Sequence, residues 1–439
     1  MKRTTIHMSP PRFLILSFLA LALAGTCLLK LPISTTSPIS WVDALFTAVS
    51  ACTVTGLGVV DTGTVFTLFG QLVILCLIQV GGLGIMSFAI LSFIVLGKKI
   101  GLQNRILMQQ TLNQTSIGGI IRLARTVLLF AFAVELVAML LLALEWVPKY
   151  GWKKGLYFSF FHAVSAFNNA GFSIWPDSLM RHVGNTMVNL VITSLIIIGG
   201  LGFTVFIDIW KKRSFSRLSL HSKLMIISTI AVNIGATLFI LFFEYNNTAS
   251  MGGLTTYEKV LGAYFQSITT RTAGFNTVDI GKLTEPVLLL MLLLMFVGAG
   301  SASTGGGVKL TTILVMLFGV TKFLREQDDI VIFKKSIKDS TIVKALSISF
   351  IAVVAIFLAV LFLSITEDAP ILMIVFEVVS AFGTVGITMG LTAKLTMAGK
   401  LLITCMMLFG KLGPLTIAFA LAKKQNMKVK YPTEDILTG

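Results

Sequence analysis

The sequence predicts an all-α polytopic membrane protein: four repeats of span, pore helix and span, about eight transmembrane helices around a central pore. Three observations predict it. The 439 residues are 55% hydrophobic and only 12% charged, with a mean hydropathy of +0.91, whereas soluble domains carry roughly 25% charged residues. Apolar runs long enough to cross a bilayer, which takes ~20 residues, recur along the chain. Each pair of long runs encloses a short apolar segment ending in a glycine turn, with a period of about 110 residues.

The first span is residues 13–31, stopped by Pro32. Its basic start and apolar core mimic a signal peptide, but the run is long and lacks a convincing cleavage site, so it is read as a retained span. The short segment 41–51 follows, then the turn Thr53-Val54-Thr55-Gly56, then the long run 66–96 up to Lys98-Lys99. The turn is too polar to extend the helix before it. A helix that stops inside a membrane is tolerated only where it is buried in protein or lines water.

The same unit recurs. The second copy has a span at 126–146, a short segment at 153–167, the turn Asn168-Asn169-Ala170-Gly171-Phe172 and the run 186–210. The third has 224–243, 257–269, the turn Thr270-Arg271-Thr272-Ala273-Gly274-Phe275 and a run from 286. The fourth has 345–365, 370–382, the turn Gly383-Thr384-Val385-Gly386-Ile387 and the run 398–422. The repeats are bounded as 13–97, 126–211, 224–322 and 345–422, with a tail at 423–439.

The register supports the alignment. Ten positions before each turn glycine stands an aromatic (Phe46, Phe161, Tyr264, Phe376), and just after it a bulky apolar residue (Leu57, Phe172, Phe275, Ile387).

The net charge of +16 comes mostly from five basic segments: the N-terminus, 97–125, 211–223, 322–344 and 423–439. They alternate with mixed or acidic segments, the positive-inside pattern, so both termini are expected in the cytoplasm of a multi-pass plasma-membrane protein, with the four loops entering from outside. No basic groove interleaved with aromatics appears, so nucleic acid is not an expected partner. Cys27, Cys52, Cys76 and Cys405 are scattered through apolar stretches and read as small hydrophobes. The four histidines form no metal-spaced cluster and no nucleophile elbow is present, so an enzyme is not expected. A proton-coupled carrier is the other rival. It would need more ionisable residues in mid-span than Glu135, Asp208, Lys309 and Lys411.

Four parallel loops converging on one axis give the chemistry a bare cation needs, because carbonyl oxygens from all four can replace its water shell. The short helices aim their negative C-terminal ends at the same place. A divalent site would use carboxylates, and no turn contains Asp or Glu. The ion-binding candidates are therefore Thr53, Val54, Thr55, Gly56, Asn168, Asn169, Ala170, Gly171, Arg271, Thr272, Ala273, Gly274, Gly383, Thr384, Val385 and Gly386.

These motifs, across nearly the whole chain, resemble the Trk/Ktr/HKT superfamily of potassium transporters, and within it the bacterial KtrB-type membrane subunit. The resemblance implies K+ as the transported ion, since glycine stands in all four filters. It also implies a homodimer seated on a cytosolic ring of nucleotide-binding regulatory subunits of KtrA type. No nucleotide-binding domain is visible in the chain itself, and Na+ stays open as an activator.

Two features break the fourfold pattern. Arg271 is a cation in a cation filter, read as a brace pointing away from the ion, against Glu377 or Glu258. The second span of repeat three is interrupted at 298–307, where Gly298, Gly300, Ser301, Ser303, Thr304, Gly305, Gly306 and Gly307 precede Lys309. Each glycine costs a helix ~1 kcal/mol relative to alanine. The alternatives are tight packing of small residues or a flexible intramembrane loop beneath the filter, and the resemblance implies the loop, acting as a gate. Milder glycine clusters stand at 81–84, 199–202 and 410–413, where Lys411 replaces a glycine. Lys411 is read as an electrostatic barrier or a loop anchor.

Overall fold

The computed structural model describes residues 10–84 and 120–421. The long α1 (Pro10–Leu29) leads to the short α2 (Trp41–Cys52) and then α3 (Leu68–Leu83). Next come α4 (Ile120–Tyr150), α5 (Trp152–Phe167), α6 (Thr186–Leu201) and α7 (Phe203–Lys212). They are followed by α8 (Leu220–Glu244), α9 (Thr256–Thr269), α10 (Glu285–Phe296) and α11 (Leu310–Leu324). A two-stranded hairpin, β1 (Ile330–Ile332) and β2 (Lys335–Ile337), precedes α12 (Asp339–Thr366). The chain then forms α13 (Ile371–Gly383), α14 (Met397–Leu412) and α15 (Pro414–Leu421). The basic N-terminus, most of 97–125 and the tail 423–439 lie outside the described residues.

Among the described residues, four helices are long and apolar enough to cross a membrane, and they lie in α1, α4, α8 and α12. Their outward faces carry exposed leucines and phenylalanines such as Leu136, Leu140, Leu144, Phe350 and Phe357, as lipid contact requires. Each is followed by a short helix and then by an apolar helix that stops early.

The sequence reads the second spans as continuous, apart from the third. The structure breaks them. α3, α6 and α14 end at Gly84, Gly202 and Gly413, whose φ values are +87°, +100° and +84°. Those are left-handed conformations that only glycine adopts cheaply. α7 leaves α6 at 90°.

The first glycine of each cluster has a different task. A Cβ on Gly81, Gly199 or Gly410 would lie 1.9, 2.0 or 1.8 Å from the carbonyl oxygen of Cys52, Phe167 or Phe382. The cluster therefore lets the second helix touch the end of the short helix, then turns the chain.

The hairpin is not foreshadowed by the sequence. Its turn residues Phe333 and Lys334 are both left-handed (φ +48° and +61°), the geometry a two-residue hairpin needs, but Phe-Lys carries no Asn-Gly signal.

A ring of four loops over an intramembrane segment

The short helices α2, α5, α9 and α13 all end at one of the four glycine turns. Their aromatic anchors Phe46, Phe161 and Phe376 are fully buried, and so, to within a few per cent, are Leu57, Phe172, Phe275 and Ile387 just beyond the glycines. Tyr264 is only half-buried, and its hydroxyl hydrogen-bonds Thr193 Oγ1 at 3.2 Å.

Within each loop two left-handed residues are spaced two apart. They are Val54 and Gly56 (φ +53° and +91°), Asn169 and Gly171 (+57° and +67°), Thr272 and Gly274 (+69° and +84°), and Thr384 and Gly386 (+50° and +89°). Alternating handedness turns successive N–H groups to one side, and the trans peptide sends the carbonyls to the other. The N–H side is tied back to the short helix. Thr55 N donates to Ser50 O at 2.8 Å, Ala170 N to Ser165 O at 2.8 Å and Val385 N to Ser380 O at 2.8 Å. The Ser50 and Ser380 hydroxyls also accept from the N–H groups of Gly56 and Gly386, at 3.1 and 3.2 Å. In the third loop Ala273 N donates to Thr269 O at 3.0 Å instead. Sequence reasoning passes over these serines, although a serine six residues before the glycine in three of the four turns is a readable signal. Gly383, expected in the fourth loop, is the last residue of α13.

The glycines show how the loops meet. A Cβ on Gly56 would fall 2.4 Å from Ala170 O in the second loop. One on Gly171 would fall 2.8 Å from Ala273 O in the third, one on Gly274 2.6 Å from Val385 O in the fourth, and one on Gly386 2.0 Å from Thr55 O in the first. Each glycine thus leaves room for the carbonyl of the next loop, and the succession closes on itself. The four loops, each at the C-terminal end of a short helix, thus meet in one ring, and neutral oxygens beside the negative ends of helix dipoles are an arrangement that attracts a cation.

Three residues before each glycine stand Thr53, Asn168, Arg271 and Gly383, and the side chains at this register lead away from the ring. Thr53 Oγ1 donates to Val49 O at 2.7 Å. Asn168 Nδ2 donates to Gln79 Oε1 at 2.8 Å and Glu135 Oε1 at 3.1 Å. Arg271 is buried and donates from Nη1 to Asn233 Oδ1 on α8 at 3.3 Å. The anticipated carboxylate partners are engaged elsewhere. Glu258 closes a capping box with Thr255, and Glu377 accepts from the hydroxyls of Thr388, at 2.7 Å, and Thr392. Asn169, one residue on, hydrogen-bonds Thr272 at 3.2 Å across to the third loop.

Between α10 and α11 the chain is non-helical, and it packs against the underside of the ring. Gly298 N donates to Val308 O at 2.8 Å, closing the segment at its neck. Gly300 N and Thr304 N donate to Gly200 O and Gly199 O at 2.8 and 3.2 Å, and Gly307 N to Gly410 O at 3.3 Å. Ser301 Oγ pairs with Thr311 Oγ1 at 2.9 Å, and Ser303 Oγ donates to Gly300 O at 2.7 Å. Gly306 N donates to Thr384 Oγ1 in the fourth loop at 2.8 Å. A Cβ on Gly305 would lie 2.2 Å from Thr272 Oγ1 in the third. Two ammonium groups hold three successive carbonyls of this segment. Lys411 Nζ donates to Thr304 O at 2.5 Å, and Lys309 Nζ donates to Gly305 O at 2.5 Å and Gly306 O at 3.3 Å.

A model of the TrkH family, described as a cation transport protein, matches residues 2–431. The chain belongs to the TrkH family. The chain is 53% identical over 434 residues to the Ktr system potassium uptake protein B of Bacillus subtilis strain 168, covering 99% of this chain and 98% of that protein. It is 41% identical to the protein of the same name from Vibrio alginolyticus, over 100% of this chain and 97% of that one. It is 38% identical to the potassium/sodium uptake protein NtpJ of Enterococcus hirae, over 100% and 99%. The fold matches the crystal structure of the potassium transporter TrkH from Vibrio parahaemolyticus with a TM-score of 0.73, over 96% of this chain and 87% of that one at 20% identity. These relatives are ion transporters, not enzymes. Membership of the TrkH family and the apolar helices make the chain a multi-pass membrane protein.

Proposed function

We propose that this chain is the ion-translocating membrane subunit of a potassium uptake system, that it selects K+ by the backbone carbonyls of its four loops, and that the segment 298–307 gates the path beneath them. The closed succession of glycine–carbonyl contacts carries the reading. It supplies neutral oxygens from all four loops, which suits a weakly hydrated monovalent cation better than a divalent one. The gate follows from position. Gly305 and Gly306 press against Thr272 and Thr384, Lys309 fastens their carbonyls, and Lys411 fastens that of Thr304 just before them. A fastened segment blocks; releasing those contacts opens the path.

The units 13–97, 126–211, 224–322 and 345–422 are the four quarters of the assembly, with both termini and the tail 423–439 in the cytoplasm. As the curated relatives' names refer to a Ktr system, the chain works with other subunits. The family resemblance points to a homodimer on a cytosolic nucleotide-binding ring. The relative named for potassium and sodium keeps Na+ as a second ion or activator. Uptake of 86Rb+ by a potassium-uptake-deficient cell expressing the chain tests the proposal. Rescue of growth at low K+, with Rb+ uptake resisting a large excess of Na+, is the expected result. A folded, membrane-inserted protein giving no K+-selective uptake would overturn it.

A further inference from the structure

Glu135 lies in the middle of α4, an otherwise apolar span, and is 6% exposed. A carboxylate at that depth costs free energy unless its oxygens are hydrogen-bonded. Here they are. Gln79 Nε2, from α3, donates to both oxygens at 2.9 and 3.0 Å. Asn168 Nδ2 donates to Glu135 Oε1 at 3.1 Å and to Gln79 Oε1 at 2.8 Å. Three side chains from two repeats and one filter loop thus form a closed triangle.

The donor pattern defines what the third member must be. Gln79 and Asn168 both direct N–H groups at residue 135, and the one carbonyl oxygen of Gln79 already accepts from Asn168. Gln79 Nε2 donates to both oxygens at residue 135 and Asn168 Nδ2 to one of them, so the place takes two accepting oxygens, which a carboxyl group offers and an amide does not. Gly82 completes the arrangement, because a Cβ there would lie 2.2 Å from Asn168 Oδ1. Asn168 immediately precedes the left-handed Asn169, and Ala170 O fills the space beside Gly56.

We infer that Glu135 is a positioning and specificity-determining residue for ion selection, acting through Asn168 on the second loop of the ring. It holds the Asn168 amide away from the axis, so the peptide planes at 168–171 keep the angles that aim their carbonyls. This rests on the reading of 168–171 as part of a cation-selective ring.

The test compares 86Rb+ uptake in proteoliposomes for the full-length wild type, E135Q, and the exchange Glu135→Gln with Gln79→Glu. The exchange leaves one carboxylate and one amide around Asn168 and lets the amide donate in the reverse direction. Replacing Glu135 alone is expected to raise the half-saturating K+ concentration about tenfold and to lower K+ over Na+ discrimination by a similar factor, as losing one buried hydrogen bond would. The exchange is expected to restore both to within about threefold. E135Q indistinguishable from wild type would overturn the inference. So would an exchange variant present at wild-type amounts yet as defective as E135Q. If E135Q does not reach the membrane, the exchange alone decides, and its failure to insert also counts against the inference. A wild type without K+ selectivity would refute the ring itself instead, which keeps the two outcomes apart.

Discussion

Gly386 and Gly390 stand four residues apart with φ of +89° and +90°, yet their surroundings differ completely. A Cβ on Gly386 would be 2.0 Å from Thr55 O and 3.0 Å from Gly56 Cα, whereas nothing lies within 4 Å of one on Gly390. Alanine costs about 1–2 kcal/mol at either site for the left-handed backbone. Only at 386 must something else move, and the nearest atom is a ring carbonyl that has to retreat by about 1.5 Å to reach an ordinary packing distance. A hydrogen bond to a charged group contributes about 1.5–3 kcal/mol. Taking the carbonyl–cation contact as similar, losing one from the ring lowers discrimination by about tenfold or more, at about 1.4 kcal/mol per factor of ten. Gly386→Ala is therefore expected to reduce the K+ to Na+ preference at least that far, while Gly390→Ala keeps it and loses only a little stability. The assay is competition of Na+ against 86Rb+ uptake in proteoliposomes, normalised to monodisperse protein. A Gly386→Ala protein with wild-type preference, or an equal loss in both variants, would refute the claim that the ring is set by contact between loops.

Gly56→Ser, whose side chain would meet Ala170 O at 2.4 Å, should relax discrimination against Na+, and an unaltered ratio counts against the filter assignment. Deleting Ser301–Gly306 should raise flux through a protein that still assembles; flux at or below wild type in folded protein would remove the gate. Lys411→Gln weakens the tie to Thr304 O and should raise basal flux several-fold, with a smaller effect for Lys411→Arg; conductance measured in planar bilayers checks it. Arg271→Ala leaves Asn233 without its donor. Losing a buried hydrogen-bonded charge costs about 1.5–3 kcal/mol, so a fall in melting temperature or in selectivity is expected, and unchanged values in both would dismiss the brace.

The architecture was legible because the signals were repeated: an aromatic, ten residues, a glycine and a bulky apolar residue, four times between apolar runs. The loops were legible for the same reason, since only glycine tolerates both a left-handed φ and a neighbouring carbonyl at that distance. The direction of a side chain at the ring was less legible. Arg271 sits at the register shared by Thr53 and Asn168, which leads away from the ring, but its partner Asn233 is a neutral residue on another span and carries no sequence mark. The breaks at Gly84, Gly202 and Gly413 were hidden because apolar residues continue on both sides of them. Hydropathy records what lies in the membrane and not the path it takes. The network of Gln79, Glu135 and Asn168 was invisible as a unit, because its members come from elements that only the fold brings together.

The closing contact of the ring joins Gly386 near the end of the chain to Thr55 near its beginning. A ribosome makes these ends at opposite times. The first three loops can take their places in order as each is inserted, but the first loop has an open flank until the fourth arrives. An unfinished or truncated chain therefore has the short helices and their loops but lacks the contact that closes the ring. The ring is a property the molecule acquires only when its last quarter folds back upon its first.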